Sequence, residues 1–212
     1  MMSRGAVIQM SNVKYRFSDD GITGYGILED GTEFIFDAAL FEKIRYQKWY
    51  ACYKNIPGKQ TYIINKNGLL LHQALFGKRE NMELDHINLN TLDNRSINVR
   101  FCTHQQNQMN QPLQKNNTSG VAGVRFYKAR NKFIARIKVC QHDIHLGYFL
   151  TFEEAVQARN VGMECMFGEY GRYNDVPPTP LWIKQKVIQK CMRFAHLSVN
   201  ENFKNQYLSI GA

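Results

Sequence analysis

Residues 84–107 read LDHINLNTLDNRSINVRFCTHQQN, and the pattern of this stretch predicts its local fold. A strand-like segment at 84–86 leads into a polar loop, and a second short strand is expected at 99–102. Thr103 is a good N-cap for a helix that follows. A strand-loop-strand-helix hairpin of this kind can bring together the side chains of Asp85, His86 and Asn107.

These side chains combine a carboxylate, an imidazole and an amide. Carboxylate and amide oxygens suit a hard divalent ion such as Mg²⁺, and one of each leaves most of its coordination sphere to phosphate and water. A neutral imidazole beside them could accept a proton from an attacking water, while the metal stabilises the charge developing at phosphorus. The inferred reaction is phosphodiester hydrolysis. An Asp-His dipeptide alone is more often the start of a turn, with the asparagines capping loops.

The whole string is more specific than the dipeptide, because it resembles the HNH endonuclease family in its phage and homing-endonuclease branch. That family's motif reads approximately D-H-x-N, D-N-R, N-L-R, T and a helical N. Residues 85–107 supply each of these elements, with Val99 in place of the Leu. The resemblance implies a ββα-metal hairpin.

The resemblance also implies a role for each matching residue. Asp85 is implied as a metal ligand, His86 as the general base and Asn107 as the second metal ligand. Asn98 is implied as the middle residue, which braces the loop and orients the base. Many family members have His where Asn107 stands, and His104, one helical turn earlier, is a rival ligand. The expected cofactor is Mg²⁺ or Mn²⁺, and the lack of paired cysteines argues against a structural zinc.

Two arginines within the motif have two possible roles. Arg95 and Arg100 could contact the scissile strand, because guanidinium groups bind phosphate well. An internal salt bridge, for example to Asp93, is the alternative. Upstream of the motif, His72 is interpreted as structural, and Trp49 is expected to join the same core.

A second module is predicted after residue 119. Short alternating strands are expected at 124–127, 132–139 and 144–149, followed by a helix at 151–167. Thr151 and Glu154 fit a capping box at its start. One face of the strands is apolar and should pack under the helix: Val124, Phe126, Phe133, Ala135, Ile137 and Val139.

The opposite face of these strands is polar and cationic. Residues 120–150 contain six Lys or Arg and one Asp, a net charge of +5, whereas residues 81–115 are neutral with three basic and three acidic residues. A solvated charged surface is the usual meaning of such a face. A nucleic-acid partner is the functional alternative.

The strings SGVAGVR, KFIARI, HLGYF and EEA within residues 119–155 resemble the DNA-binding domain of plant ethylene-response factors. That domain also occurs fused to phage HNH nucleases, and it lays a three-stranded sheet in the major groove. The resemblance implies DNA contacts by Arg125, Tyr127, Arg136, Lys138 and His145. Because His145 replaces an aromatic residue and Phe133 replaces the usual Trp, base specificity does not transfer.

The first third of the chain predicts a mixed, mostly antiparallel lead-in. Strand-like runs and helical spacings alternate with turn signals. Strands are expected at 25–28, 33–36 and 61–64, and short helices at 41–50 and 69–76. The cluster Gly21-Ile22-Thr23-Gly24-Tyr25-Gly26 has the wrong order for a phosphate-binding loop and predicts a turn.

Composition sets the outer limits on function. The 212 residues carry 27 Lys and Arg against 18 Asp and Glu, a formal charge of +9, which points to a polyanionic partner. A hydrophobic content of 44% excludes simple disorder. Apolar runs are much shorter than the roughly 20 residues of a membrane span, and no secretory signal is recognised, so a cytoplasmic location is expected. Five scattered cysteines predict no disulfide framework.

The sequence therefore predicts an α+β, two-module DNA endonuclease; the homing type and a phage or mobile-intron origin are implied by the resemblance alone. The expected organisation is a nuclease region at 1–111, a linker at 112–119, a DNA-binding domain at 120–175 and a basic C-terminal region at 176–212. The helix at 181–197 could lie on phosphates, pair with a second subunit or dock on its own chain. One metal site predicts nicking by a monomer, with a homodimer or sequential nicks needed for double-strand cleavage. The alternative is a DNA-binding protein whose HNH module is inactive or structural.

Overall fold

A computed structural model describes residues 7–53, 60–110, 113 and 116–208. The chain is mixed α+β, as the sequence predicts, and it forms two compact units with a boundary after His104. The predicted linker at 112–119 lies partly outside the described residues. None of the helices in the described ranges has both the length and the apolar character that a bilayer span requires.

The first unit is built mainly of strands. They are β1 (Ile8–Met10), β2 (Val13–Phe17), β3 (Thr23–Leu28), β4 (Glu33–Asp37), β5 (Trp49–Tyr53), β6 (Thr61–Asn65), β7 (Glu83–His86), β8 (Asp93–Asn94) and β9 (Val99–Cys102). A 3-10 helix spans Ala38–Lys43 and helix α1 spans Leu71–Phe76, the second as predicted. The unit boundary falls within helix α2 (His104–Met109), whose start agrees with the predicted cap at Thr103.

A five-stranded sheet in the order β1-β2-β3-β4-β8 holds the loop of the HNH-like motif. Its first four strands pair antiparallel, whereas β8 joins β4 in parallel, with Ile35 opposite Asp93 and Phe36 opposite Asn94. The Ser96 amide donates to the Asp37 carboxylate at 2.8 Å, just beyond this pairing. The motif is therefore tied to a sheet more than fifty residues earlier in the chain, which local sequence patterns do not predict.

Aromatic rings fill the core of this sheet. Tyr15, Phe34, Phe36 and Phe41 are almost completely buried and mostly meet edge to face. The predicted turn at 21–26 is wrong in its second half, because Gly24 and Gly26 lie within β3. A Cβ at either glycine would lie within 2.4 Å of a ring atom of the phenylalanine opposite it on β4. The glycines therefore make room for rings and do not form a turn.

The predicted helix at 41–50 is also wrong. A 3-10 helix ends at Lys43, and β5 begins at Trp49 and pairs with β6. Trp49 is fully buried, as expected, and its indole N–H donates to the Ile44 carbonyl at 3.0 Å. Burial of Phe41, Ile44 and Trp49 in one core produces the apparent helical spacing, but strand pairing determines the backbone.

The second unit has a three-stranded sheet packed on helices. Strands β10 (Val124–Tyr127), β11 (Lys132–Val139) and β12 (His142–Phe149) pair antiparallel in sequence order. Helix α3 (Phe152–Phe167) carries the predicted capping box between Thr151 and Glu154. Helices α4 (Leu181–Met192) and α5 (Glu201–Leu208) follow, with 3-10 turns at 128–130, 168–170 and 195–197.

The predicted apolar face of the β10–β12 sheet is confirmed except at Phe126. Val124, Ala135, Ile137 and Val139 are buried in the core, whereas Phe126 is 46% exposed. Phe126 packs edge to face on Phe133 at the margin of the sheet, with 5.2 Å between ring centroids. It therefore covers the end of the core without entering it.

The C-terminal helix is shorter than predicted and docks on its own chain. Helix α4 ends at Met192, and a 3-10 turn occupies Ala195–Leu197. Ile183, Val187 and Cys191 are fully buried on one face of α4 and join the core formed by the sheet and α3. This packing leaves the lysines of α4 on its other faces.

Candidate functional site

Strand β7 presents two polar side chains to the interior of the first unit. Asp85 and His86 are adjacent on β7, and each residue is only 5% exposed. In the pairing of β7 with β9, Asp85 lies opposite Arg100 and His86 lies opposite Val99. Burial of adjacent ionisable residues at the end of a strand needs compensating contacts, and the surrounding loop supplies them.

The His86 imidazole is held by Asn94. His86 Nε2 lies 3.3 Å from Asn94 Oδ1, and Asn94 Nδ2 donates to the Thr91 carbonyl at 3.4 Å. Because the amide nitrogen of Asn94 faces Thr91, its oxygen faces the imidazole and accepts a hydrogen bond from Nε2–H. That tautomer leaves the basic lone pair of His86 on Nδ1.

Burial keeps His86 in its neutral form. Desolvation lowers the pKa of His86 below the ordinary value of 6.5, and this effect outweighs the opposing contributions of Asn94, Asp85 and Asp93. At neutral pH the imidazole is therefore a proton acceptor, as a general base requires.

Two aromatic side chains enclose the His86 ring. His72 of α1 meets it edge-on, with 4.9 Å between ring centroids, and Tyr62 of β6 lies 6.2 Å from His72 and 6.3 Å from His86. His72 is 4% exposed, and burial lowers its pKa to about 3. Burial raises the pKa of Tyr62, and the charge of Asp85 adds to that effect. His72 packs the site as a neutral ring, in agreement with its interpretation as structural.

Asn98 makes contacts that brace the loop. Its Oδ1 accepts from the Asn88 amide at 2.9 Å, its Nδ2 donates to the Asp93 carbonyl at 2.8 Å, and its carbonyl accepts from the Ile87 amide at 2.8 Å. These bonds cross the loop and fix its width. The resemblance also implies that Asn98 orients the base, and this role stays a prediction; one hydrogen-bond partner of the imidazole is Asn94.

The arginines of the motif form internal ion pairs. Arg95 binds Asp93 through Nε at 2.8 Å and Nη2 at 2.7 Å, and these hydrogen bonds hold the pKa of Asp93 below its usual value. Arg100 donates to Asp85 Oδ2 from Nε at 3.1 Å and from Nη2 at 3.0 Å. The salt bridge to Asp93, given as the alternative for Arg95, is thus present, and contact of either arginine with DNA stays a prediction.

The two further candidate ligands lie on α2. Asn107 is half-buried and belongs to the second unit, and its role as a metal ligand stays a prediction. His104 is exposed, and its Nδ1 lies 2.8 Å from Glu83 Oε1. Among the described residues no cluster of three or more His, Cys, Asp or Glu could hold a metal ion. A site made of one carboxylate and one amide does not depend on such a cluster.

Sequence reasoning assigned no role to Asn94 and Thr91. Asn94 is the middle residue of the D-N-R element. Its hydrogen-bond partner His86 lies eight residues earlier, across the loop, so the sequence pattern does not reveal the contact. Thr91 Oγ1 donates to the Thr61 carbonyl and so attaches the loop to β6. Leu89, at the tip of the turn after His86, has a φ of 64°. A left-handed backbone is unfavourable for leucine, and such strain is concentrated at functional loops.

The outer face of the β10–β12 sheet carries the residues that the second resemblance singled out. Arg125, Lys138 and His145 are exposed, and Tyr127 and Arg136 are half-buried. In the strand pairing Arg136 lies opposite His145, and its Nε donates to Asp143 Oδ1 at 3.0 Å. Ile134 also points to this face but is only 6% exposed. The surface is therefore cationic with an aromatic and aliphatic centre.

Comparison with known proteins gives one informative match. The chain is 30% identical over 177 residues to an uncharacterized HNH endonuclease of Acanthamoeba polyphaga mimivirus. The match covers 78% of this chain and 88% of that protein, so it includes most of both units. No protein-family profile and no solved structure matches the chain.

Proposed function

The chain belongs to the HNH endonuclease family, and we propose that it is a metal-dependent DNA endonuclease that hydrolyses phosphodiester bonds. One observation carries the proposal: a buried, neutral His86 is held by Asn94 directly beside the Asp85 carboxylate. A histidine that only fills a core does not need a buried acid next to it in the strand. The resemblance to this family implies that His86 is the base and that Asp85 is a metal ligand.

In the proposed reaction His86 Nδ1 accepts a proton from the water that attacks phosphorus, and the bond from phosphorus to the leaving oxygen breaks. Asn94 holds the imidazole in the tautomer that leaves Nδ1 basic. His72 and Tyr62 exclude water from the other side of the ring, which favours its neutral form. Asn98 keeps the loop at the width that these contacts need.

Asp85 would hold the cofactor, Mg²⁺ or Mn²⁺, and the resemblance to the family implies Asn107 of α2 as the second ligand. A carboxylate and an amide oxygen are hard donors that fit these ions. When bound, the metal would stabilise negative charge on the phosphate and the leaving oxygen. Arg100, already bound to Asp85 Oδ2, would hold that carboxylate in a fixed orientation.

We further propose that the β10–β12 sheet binds duplex DNA in the manner of the ethylene-response-factor domain. Cationic side chains of β10 and β11, together with Tyr127 and His145, would contact phosphates and base edges in the major groove. The contacting residues would be Arg125, Tyr127, Arg136, Lys138 and His145. With one catalytic hairpin per chain, a monomer would nick one strand, and a homodimer would be needed for a concerted double-strand break.

One observation favours the alternative, a DNA-binding protein with an inactive HNH module. Arg100 already forms a salt bridge with Asp85. The Arg100 side chain is 16% exposed and the Asp85 side chain is 6% exposed. A buried ion pair of this kind can replace a bound cation as the partner of the carboxylate. Activity assays separate the two functions, because both predict salt-sensitive DNA binding.

The test is nicking of supercoiled plasmid by the full-length protein with Mg²⁺, Mn²⁺ or EDTA. We expect open circles with either metal and none with EDTA. Asp85→Asn keeps the side-chain shape and an acceptor for Arg100, and it should abolish nicking. Glu83→Gln, two residues away on the same strand but at the surface, is the matched control and should cut normally. An intact plasmid with the wild-type protein, or equal nicking by Asp85→Asn, would refute the catalytic proposal.

A further inference from the structure

A groove runs along the edge of the second unit's sheet, between β12 and α4. Its volume is about 530 Å³, and its lining includes five basic side chains and, in the described part of the chain, no carboxylate. The basic residues are Arg130, Lys132, His145, Lys186 and Lys190. The four lysines and arginines form no ion pair with any described residue, in contrast to Arg136, which is bound to Asp143.

Packing holds the α4 side of the groove in place. Lys186 Nζ lies 4.7 Å from the centre of the Phe149 ring and 3.4 Å from the Tyr148 carbonyl, to which it donates. Gly147 lies below this lysine, and a Cβ at that position would come within 3.1 Å of Lys186 Cε. Lys190 is one helical turn further on, on the same face of α4. The Lys186 stem is thus ordered by the strand edge, and both lysines line the groove.

The groove is continuous with the outer face of the sheet. The Arg130 guanidinium lies 4.6 Å from the centre of the Tyr148 ring, and the His145 ring lies 4.7 Å from it. Tyr148 in turn packs against Tyr127, with 5.6 Å between ring centroids. Tyr148 therefore connects two cationic surfaces, with its ring on the sheet face and its carbonyl on the α4 side.

Positive potential is concentrated at the junction of these surfaces. Partial desolvation lowers the pKa of His145, and the charges of Lys190, Arg136, Lys186 and Arg130 lower it further. Four cations act on one imidazole, so a neutral His145 minimises repulsion. A ligand with several negative charges would relieve the repulsion that remains among the lysines and arginines.

We propose that this groove binds the phosphate backbone of the same duplex whose bases face the β10–β12 sheet, with α4 as a second contact element. The inference rests on the proposed DNA binding by that sheet and extends it around the strand edge. Cations from the turn after β10, from β11 and from α4 are spread along the groove, which fits a row of phosphates. A single free phosphate would need only one or two of them.

The experiment is a salt titration of duplex binding, measured by fluorescence anisotropy of a labelled duplex with the full-length protein. Lys186→Gln combined with Lys190→Gln keeps the apolar stems and removes two charges. Loss of two phosphate contacts should weaken binding roughly tenfold and reduce the slope of log K against log salt by about 1.8. Lys184→Gln, on the same helix but outside the groove, should leave the slope unchanged.

Two further measurements make the outcome decisive. Lys190→Arg keeps the positive charge and should therefore keep the wild-type slope. If any replacement of Lys190 disturbed the structure, Lys190→Arg would change the slope as well. Trp182 lies beside Phe149 and Lys186, so its fluorescence should change when duplex binds and not when inorganic phosphate alone is added. A response to phosphate alone, or a double variant with the wild-type slope, would overturn the proposal. If the wild-type protein does not nick plasmid but the double variant shows the reduced salt slope, the catalytic function is refuted and DNA binding by the groove is supported.

Discussion

The two units bury different kinds of side chain. Of the eleven buried polar or charged residues in the described ranges, eight belong to the first unit and three to the second. Five of those eight lie between Asp85 and Asn94, within a single loop and the strand that leads into it. The second unit instead buries an almost wholly apolar core and leaves its charges at the surface.

Under the proposed function, this difference between the units corresponds to a division between chemistry and binding. A buried polar group must be paired, and pairing fixes its geometry, which suits a general base that has to hold one tautomer. A surface cation remains hydrated and mobile, which suits contacts with phosphates that vary in position. The proposed function therefore uses the buried polar contacts of the first unit to position the base, and the surface cations of the second unit to attract DNA.

The largest effect should come from His86→Ala. Removing a general base typically costs about 10²- to 10⁴-fold in rate. We expect plasmid nicking to fall by that amount while the affinity for duplex stays unchanged, because His86 is not among the residues proposed to bind DNA. His104→Ala, at an exposed histidine paired with Glu83, is the control and should lose little activity. Equal nicking by the wild type and His86→Ala would remove His86 from the mechanism.

A smaller effect is expected at Asn94. Replacement by Leu removes the acceptor for His86 Nε2 and leaves the side-chain volume nearly unchanged. Partners that orient an active-site histidine are typically worth roughly 10- to 100-fold, so kcat should fall by that amount with little change in KM. Asn94→Asp retains an acceptor and should recover most of the rate. If both variants are equally impaired, Asn94 supports the fold and does not position the base.

The polar interior of the first unit should also be sensitive to acid. The unfolded chain protonates His72 below its ordinary pKa of 6.5, but the folded state resists protonation down to a pKa of about 3. Stability therefore falls as pH drops below 6.5 and levels off near 3. By pH 5 this single group should lower the free energy of unfolding by about 2 kcal/mol, a factor of roughly 30.

His72→Phe removes the titrating group, so the variant should not show the part of the acid-induced loss of unfolding free energy that His72 causes. Urea denaturation at pH 7 and pH 5 can follow Trp49, which is fully buried in the first unit, in a Trp182→Phe background. We expect the wild-type protein to lose about 2 kcal/mol more than His72→Phe between the two pH values. Equal losses would show that His72 is not held neutral by burial.

The smallest effect concerns the sheet surface. Arg125→Ala with Lys138→Ala should weaken duplex binding roughly tenfold at moderate salt, because two exposed cations are lost from the proposed contact face. Thermal stability should be unchanged. Lys14→Ala with Lys48→Ala removes the same charge from exposed positions of the first unit and is the control in a gel-shift titration. An equal effect of both pairs would mean that net charge, not this face, governs binding.

Much of the fold was predictable because it depends on local patterns. The alternation of apolar and polar residues predicted β10, β11 and most of β12, and the capping box predicted the start of α3. The errors occurred where long-range packing overrides local spacing. Phe41, Ile44 and Trp49 share a core without sharing a helix, and the glycines of β3 make room for phenylalanines of the neighbouring strand.

The sequence by itself indicated the family and the order of the hairpin, and it is the source of the proposal that His86 is the base beside the Asp85 carboxylate. It also determined that the excess positive charge lies outside the hairpin, since charge along the chain can be counted without a structure. Only the tertiary structure decided which side chain holds His86, that Arg100 binds Asp85, and that lysines of α4 line the edge of the sheet. These contacts join residues from separate strands, loops and helices, and their partners depend on how the chain packs, which no local pattern records.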